Sequence, residues 1–223
     1  MATRARNSKT TTKRTDLKES DNRFTPSWFI CAVVYSFGRI CFDPCWHAAS
    51  LVRPVAFFDV RRGDDGLRDP WFGDLVFVNP PWSNQKRWLE RAHGQWLCGN
   101  VKTIVCLVPA RTDTDLFHNI LSRDADIYFI KGRPKFFQEN GKSESTSVST
   151  MAVIFGATDK QKKRFAEKVP GLWWQSHLRS SAPAMPTPVQ IPVGAKMRVH
   201  KSSPTSCVSV RQDLRVYCGP FSS

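Results

Sequence analysis

A chain of 223 residues has room for one α/β domain with tails, and too little for two domains of ordinary size. Its 41% hydrophobic and 12% aromatic content can build a core, which excludes disorder throughout, and no run approaches the roughly 18 consecutive apolar residues of a membrane span. The formal net charge of +14 is uneven: residues 1–23 carry +4 and residues 157–223 carry +8, leaving +2 for the stretch between.

Residues 1–22, rich in Arg, Lys, Thr and Ser, read as a disordered basic arm. Asp16, Glu19 and Asp21 set it apart from a mitochondrial transit peptide, and it has no apolar stretch of the secretory kind. An intracellular protein with its seven cysteines reduced is therefore expected. Thr25-Pro26 opens a helix over 27–35, with proline in the first turn where its missing N–H costs nothing. Residues 39–42 lead into Asp43-Pro44 as the end of a strand, and 55–60 and 75–78 are short apolar runs of buried-strand character. Over 85–97, Trp88, Leu89, Ala92 and Trp96 fall at helical spacing, and 101–108 is the clearest buried strand. Asp113 caps a helix carrying Leu116, Phe117, Ile120 and Leu121 on one face. Two further strands follow at 127–130 and 150–155, joined by a Ser-, Gly- and Lys-rich hairpin loop over 139–149. A basic helix at 158–169 precedes Trp173-Trp174, expected to pack it onto the sheet. Residues 180–206 are Pro- and Ser-rich like a linker. A short strand or hairpin is expected in 207–218, from Val208, Val210, Leu214 and Val216.

This gives an arm at 1–22, one folded domain at 23–175 and a basic tail at 176–223. Strands alternating with helices predict a mostly parallel α/β sheet with helices on both faces. Such sheets bind ligands beyond the carboxyl ends of their strands, so the residues after Phe42, Val78 and Val108 are the candidates. Two basic arms around a near-neutral core suit a polyanion, since each phosphate neutralised releases a counterion; tails that only keep the chain soluble are the alternative.

Asn79-Pro80-Pro81-Trp82 follows the strand at 75–78 directly. Asn79 offers an amide oxygen and Pro80 a backbone carbonyl, while the two proline rings fix φ and hold both acceptors in place. Trp82 supplies a flat face on which a planar ring stacks. Two convergent acceptors beside an aromatic platform complement a heterocycle with an exocyclic NH2. Binding both amino hydrogens draws the nitrogen lone pair out of conjugation and aims it at an electrophile, without a covalent nucleophile. The plainer alternative is a strand-ending Asn-Pro-Pro turn beside a core tryptophan.

With that tetrapeptide in place, the chain resembles amino-group methyltransferases that use S-adenosylmethionine. Further segments narrow the likeness: Thr25-Pro26 before a helix, Phe42-Asp43-Pro44-Cys45 at a strand end, and Asp64-Asp65-Gly66-Leu67 ahead of Trp71. Ala110-Arg111-Thr112-Asp113-Thr114 with Phe117-His118, and Lys131-Gly132-Arg133-Pro134-Lys135-Phe136, complete the set. In order and spacing these are similar, over about residues 22–156, to the phage-type (Dam-like) DNA adenine-N6 methyltransferases. The resemblance implies a Rossmann-like methyltransferase sheet with a C-terminal antiparallel strand. It implies methyl transfer from S-adenosylmethionine to the N6 amino group of an adenine flipped out of double-stranded DNA. Thr25, Pro26, Asp43, Pro44 and Asp65 would then bind the cofactor, and Asn79, Pro80, Pro81 and Trp82 would be catalytic. The chain departs from the family pattern at Trp46-His47, where a small residue usually stands, and at Trp82, where tyrosine is commoner.

Lys131, Arg133 and Lys135 beside Phe136-Phe137, together with Arg111, are the candidate DNA contacts, with a solvated strand end and an Asp113–Arg111 ion pair as alternatives. Cys41, Cys45 and His47 lack a fourth ligand at zinc-like spacing, so no metal is expected, and Cys98 and Cys106 read as core thiols. Without a long insertion, sequence preference falls to loops 83–87 and 137–149 or to the tails. The rival from another class is a DNA-binding protein on a decayed methyltransferase fold, with Trp46-His47 blocking the cofactor. Cytosine N4, RNA and a protein amide are rival acceptors. A monomer without membrane attachment is expected, in the cytoplasm of a bacterium if phage-encoded, or in a eukaryotic nucleus.

Overall fold

The computed structural model describes Asp21 and residues 23–174. The chain divides into two units, Met1–Ser176 and His177–Ser223, and every described residue lies in the first. The expected arm (Asp21 apart), linker and 207–218 strand all lie outside the described residues.

Helix α1 (Ser27–Phe37) leads to two-residue strands β1 (Phe42–Asp43) and β2 (Ala56–Phe57), then β3 (Gly73–Val78), α2 (Gln85–Leu97) and β4 (Val101–Pro109). A π-helical turn (Phe117–Leu121) runs into α3 (Ser122–Asp124), followed by β5 (Asp126–Ile130) and the ribbon β6 (Lys135–Phe137) with β7 (Ser143–Ser145). The domain closes with β8 (Thr150–Phe155), α4 (Asp159–Lys168) and β9 (Gly171–Trp173). Seven strands form one sheet in the order β2-β1-β3-β4-β8-β5-β9. Pairings from β2 to β4 are parallel and those from β4 to β9 antiparallel, so five strands run one way and only β8 and β9 oppose them.

Burial on both sides explains why β3, β4 and β8 are nearly unbroken apolar runs. Alternate residues face opposite sides of the sheet. Val76, Val78, Ile104, Cys106 and Val108 pack under α2 and the Leu116–Leu121 segment; Leu75, Phe77, Val105 and Leu107 pack under α1 and α4. Basic α4 is fastened by one apolar anchor, Phe165, whose ring lies 5.2–6.0 Å from those of Tyr128, Phe37, Phe29 and Trp173. A capping box between Thr158 and Gln161 starts it.

Three expectations are corrected. Trp173-Trp174 does not act as one clamp on α4, because the strand period sends the two rings to opposite faces. Trp173 packs on Tyr128 at 4.7 Å, whereas Trp174 meets Phe117 at 5.9 Å. The helix after β4 is capped by Thr114, whose Oγ1 accepts from Phe117 N–H at 3.2 Å, while Asp113 is exposed. Cys106 is buried as expected, but Cys98 sits half-buried at the end of α2 and outside the core.

Candidate active site

Because β1, β2, β3, β4 and β5 run in the same direction, their carboxyl ends share one edge, and the antiparallel β8 begins there. That edge gathers Asp43-Pro44-Cys45, Asp59, Asn79–Trp82, Ala110-Arg111 and the stretch after Ile130.

Asn79 is the centre of this edge. Its Nδ2 donates to the Arg23 carbonyl at 2.6 Å. Its Oδ1 is buried with no hydrogen-bond partner among the described residues. An unmet buried acceptor costs about 1–3 kcal/mol, so a ligand donor at this point is rewarded. Trp82 stands on the following 3-10 turn (Trp82–Asn84), edge-on to Phe136 at 5.2 Å, with the Arg23 guanidinium 5.2 Å from its ring centre. Pro80 and Pro81 hold the turn, and Gln85, 5% exposed at the start of α2, ties it to the Pro109 carbonyl at 3.0 Å. A cleft of about 560 Å³ opens here between Trp82, Pro109, Arg111 and Val148.

Two acids stand along this edge on one side of the turn, after β1 and β2. Asp43 is buried at the end of β1, and its carboxylate accepts from Cys45 N–H at 3.0 Å. Burial pushes its pKa up to about 7, against the smaller pull of that hydrogen bond and of the Cys45 thiol. Burial also raises the Cys45 thiol well above its ordinary value, with the Asp43 charge adding to it. Asp59, beyond β2, is gripped by the Arg61 fork at 2.7–3.2 Å, and that side-chain bonding draws its pKa down to about 2.

Thr25 and Pro26 open α1, and Thr25 Oγ1 is buried with no hydrogen-bond partner among the described residues. Asp65 is exposed and caps its own turn by accepting from Leu67 N–H at 2.9 Å. Gly66 packs against the loop after β1: a Cβ there would lie 2.1 Å from the Pro44 carbonyl oxygen. Trp46 lies on Phe57 at 4.1 Å, while His47 stacks on Phe24 at 5.1 Å and meets Glu139 at 3.1 Å. Both rings are therefore engaged by neighbours beside the loop. Cys41 Sγ donates to the Arg39 carbonyl, so Cys41, Cys45 and His47 each have separate partners. Arg111 lines the cleft, and exposed Lys131, Arg133 and Lys135 leave β5 at the same edge.

Sequence reasoning missed Asp59 and the segment Asp21 with Arg23 and Phe24, and it named Ser83 only within the loop 83–87. Asp59 carried a legible signal, an acid just past an apolar strand with arginine two residues on. The segment carried none, because a backbone carbonyl 56 residues away holds Asn79.

A model of the family described as DNA N-6-adenine-methyltransferase (Dam) matches residues 9–169. No curated protein matches the chain. Among solved structures, one provisionally described as an RNA methyltransferase from Pyrococcus horikoshii is similar at 13% identity. The likeness covers 47% of this chain and about half (49%) of that one, with a TM-score of 0.27.

Proposed function

The chain belongs to the DNA N-6-adenine-methyltransferase (Dam) family, and from that premise we propose that it methylates the N6 amino group of an adenine flipped out of duplex DNA. The observation that carries this reading is the Asn79 amide at the strand-end edge, its NH2 occupied by the Arg23 carbonyl and its oxygen buried and unmet. Only the oxygen side can accept from an exocyclic amine.

S-adenosylmethionine is the methyl donor of this family and, when bound, supplies a methyl group on an electrophilic sulfonium. The residues suit it. Among the described residues, Asp43 is a buried carboxyl facing no cation and Thr25 Oγ1 is an unmet hydroxyl, a set that fits a ligand bringing its own ammonium and sulfonium charges. Asp43, Pro44, Thr25 and Pro26 would hold it, with Asp59 just past β2, the next strand over. Asn79 Oδ1 and the Pro80 carbonyl accept the two amino hydrogens, which turns the nitrogen lone pair outward. Trp82 stacks the base and so offsets unstacking, which costs a few kcal/mol. Arg111, Lys131, Arg133 and Lys135 hold the DNA backbone around the cleft.

Incubation with unmethylated duplex DNA and methyl-labelled S-adenosylmethionine, followed by nucleoside mass analysis, tests this. Label is expected on adenine. In Asn79→Ala, turnover is expected to fall at least about 100-fold, as when an oriented polar group is lost from a reacting centre, with DNA affinity within a few-fold of the parent. Label on cytosine, on RNA or on protein would replace the substrate, and full turnover by Asn79→Ala would remove the assigned role.

A further inference from the structure

Asp21, Arg23 and Phe24 form a strap across the Asn79–Trp82 turn, and of these the reading above uses only the Arg23 carbonyl. The Asp21 carboxylate accepts twice from Ser83, from its backbone N–H at 3.0 Å and from its hydroxyl at 2.7 Å. Two residues on, the Arg23 carbonyl takes the Asn79 NH2. Phe24 then exchanges both backbone hydrogen bonds with Phe137 of β6, at 2.8 and 3.0 Å, and lies on His47, which reaches Glu139 beyond β6. The strap is thus fastened at Ser83 on one side and at the β6–β7 ribbon on the other, with the Arg23 carbonyl between the two anchors.

What this fastening decides is which end of an amide faces the ligand. The terminal torsion of asparagine is broad and roughly twofold, so an unanchored Asn79 presents NH2 as readily as oxygen. The NH2 end would meet an adenine amine donor to donor. A carbonyl fixed against Nδ2 removes that choice, and no side chain within the Asn79–Trp82 turn does so. We propose that Asp21 is a positioning residue for methyl transfer: through Ser83 it holds the Arg23 carbonyl on Asn79 and keeps Oδ1 turned toward the target amine. This rests on the reading of Asn79 given above.

The test compares kcat and KM for duplex DNA carrying all short sequence contexts in Asp21→Ala, Ser83→Ala, Ser83→Thr, the Asp21→Ala/Ser83→Ala double variant and Asn79→Ala. A misplacement of about 1 Å in a reacting group costs up to about 100-fold, so a loosened strap is expected to lower kcat about tenfold. Asp21→Ala should show that loss in full and Ser83→Ala a smaller one, because the Ser83 backbone N–H still reaches Asp21, and the double variant should be no worse than Asp21→Ala. Ser83→Thr, which keeps the hydroxyl, should restore kcat. KM should stay level or fall, since Asp21 is an acid lining a cleft that receives a polyanion. Melting midpoints should not move, because Ser83 is exposed and Asp21 only half-buried. If Asp21→Ala and Ser83→Ala keep kcat within twofold while Asn79→Ala loses it, the site stands and the strap has no positioning role. Additive losses in the double variant overturn the inference as well. Turnover retained by Asn79→Ala is a separate result, and it overturns the reading of the site itself.

Discussion

Asp43 and Asp59 stand at or just past the ends of adjacent parallel strands, and both are 4% exposed. They differ in what surrounds them. Asp59 has a cation of its own chain, the Arg61 fork, and is held down to about pKa 2. Asp43 has a backbone N–H and a thiol, and burial lifts it to about 7. Both are hidden from solvent, but Asp43 is enclosed on all sides whereas Asp59 lies just beneath the surface, so depth and partner together decide whether each carboxylate keeps its charge. An acid satisfied within its own chain organises structure. An acid buried without a cation is set to receive one from a ligand, and here it adjoins the Asn79 turn.

The two acids act on stability in opposite pH windows. A carboxyl raised in the fold contributes stability fully present below its unfolded pKa near 3.8 and lost as pH rises through about 7. A carboxyl depressed in the fold contributes stability present above 3.8 and lost as pH falls through about 2. Asp43→Asn should break the comparison most visibly. The uncompensated burial is worth on the order of 4 kcal/mol, at about 1.4 kcal/mol per pH unit. The variant should therefore melt several degrees higher at pH 8 and lose the slope of melting point with pH between about 4 and 7. Cofactor affinity should fall about 10- to 100-fold, the worth of one charged hydrogen bond. Calorimetric binding of S-adenosylmethionine with unchanged affinity would show that Asp43 is buried for another reason.

Gly66→Ala sharpens the contrast without touching either charge. The added methyl would meet the Pro44 carbonyl oxygen at 2.1 Å and the Trp88 ring at 2.7 Å, so the loop after β1 must shift. Overpacking of this kind costs about 1–3 kcal/mol. A lowered melting midpoint is expected together with weakened cofactor binding, whereas the acid limb governed by Asp59 should keep its position. A shift in that limb would mean that the two strand ends move as one unit.

Much of this edge was legible in the sequence, for reasons that differ by element. The bounds of α2 follow from its apolar spacing, and β3, β4 and β8 follow from apolar runs long enough to be buried on both faces. The Asn79 turn was readable because its chemistry is local to four residues. β9 was not: Gly171-Leu172-Trp173 has no alternation of its own and becomes a strand by pairing with β5. Asp65 was placed with the cofactor residues by its position in a segment, and its carboxylate accepts from Leu67 N–H within its own turn. The grip on Asn79 was illegible for a further reason. It comes from the main chain of Arg23, and main-chain groups carry no sequence signature.

The smallest effect belongs to Arg61, and it isolates the cause of Asp59's low pKa. Arg61→Ala removes three of the close contacts on the carboxylate and leaves the Arg61 backbone N–H at 3.0 Å. The main downward pull on Asp59 is then gone, and its pKa should rise from about 2 toward its ordinary value near 3.8. The stability normally lost on acidification between about pH 4 and 2 should shrink, and the melting midpoint at pH 7 should drop slightly. The drop should be small because the Arg61 side chain is 56% exposed, so water and salt already screen its charge. Added salt should accordingly lower the parent's midpoint toward that of the variant while leaving the variant nearly unmoved. Melting curves from pH 2 to 8 at two salt concentrations provide the measurement. An acid limb that survives in Arg61→Ala would assign Asp59's low pKa to backbone hydrogen bonds, and the contrast with Asp43 would then rest on main-chain geometry instead of on a paired cation.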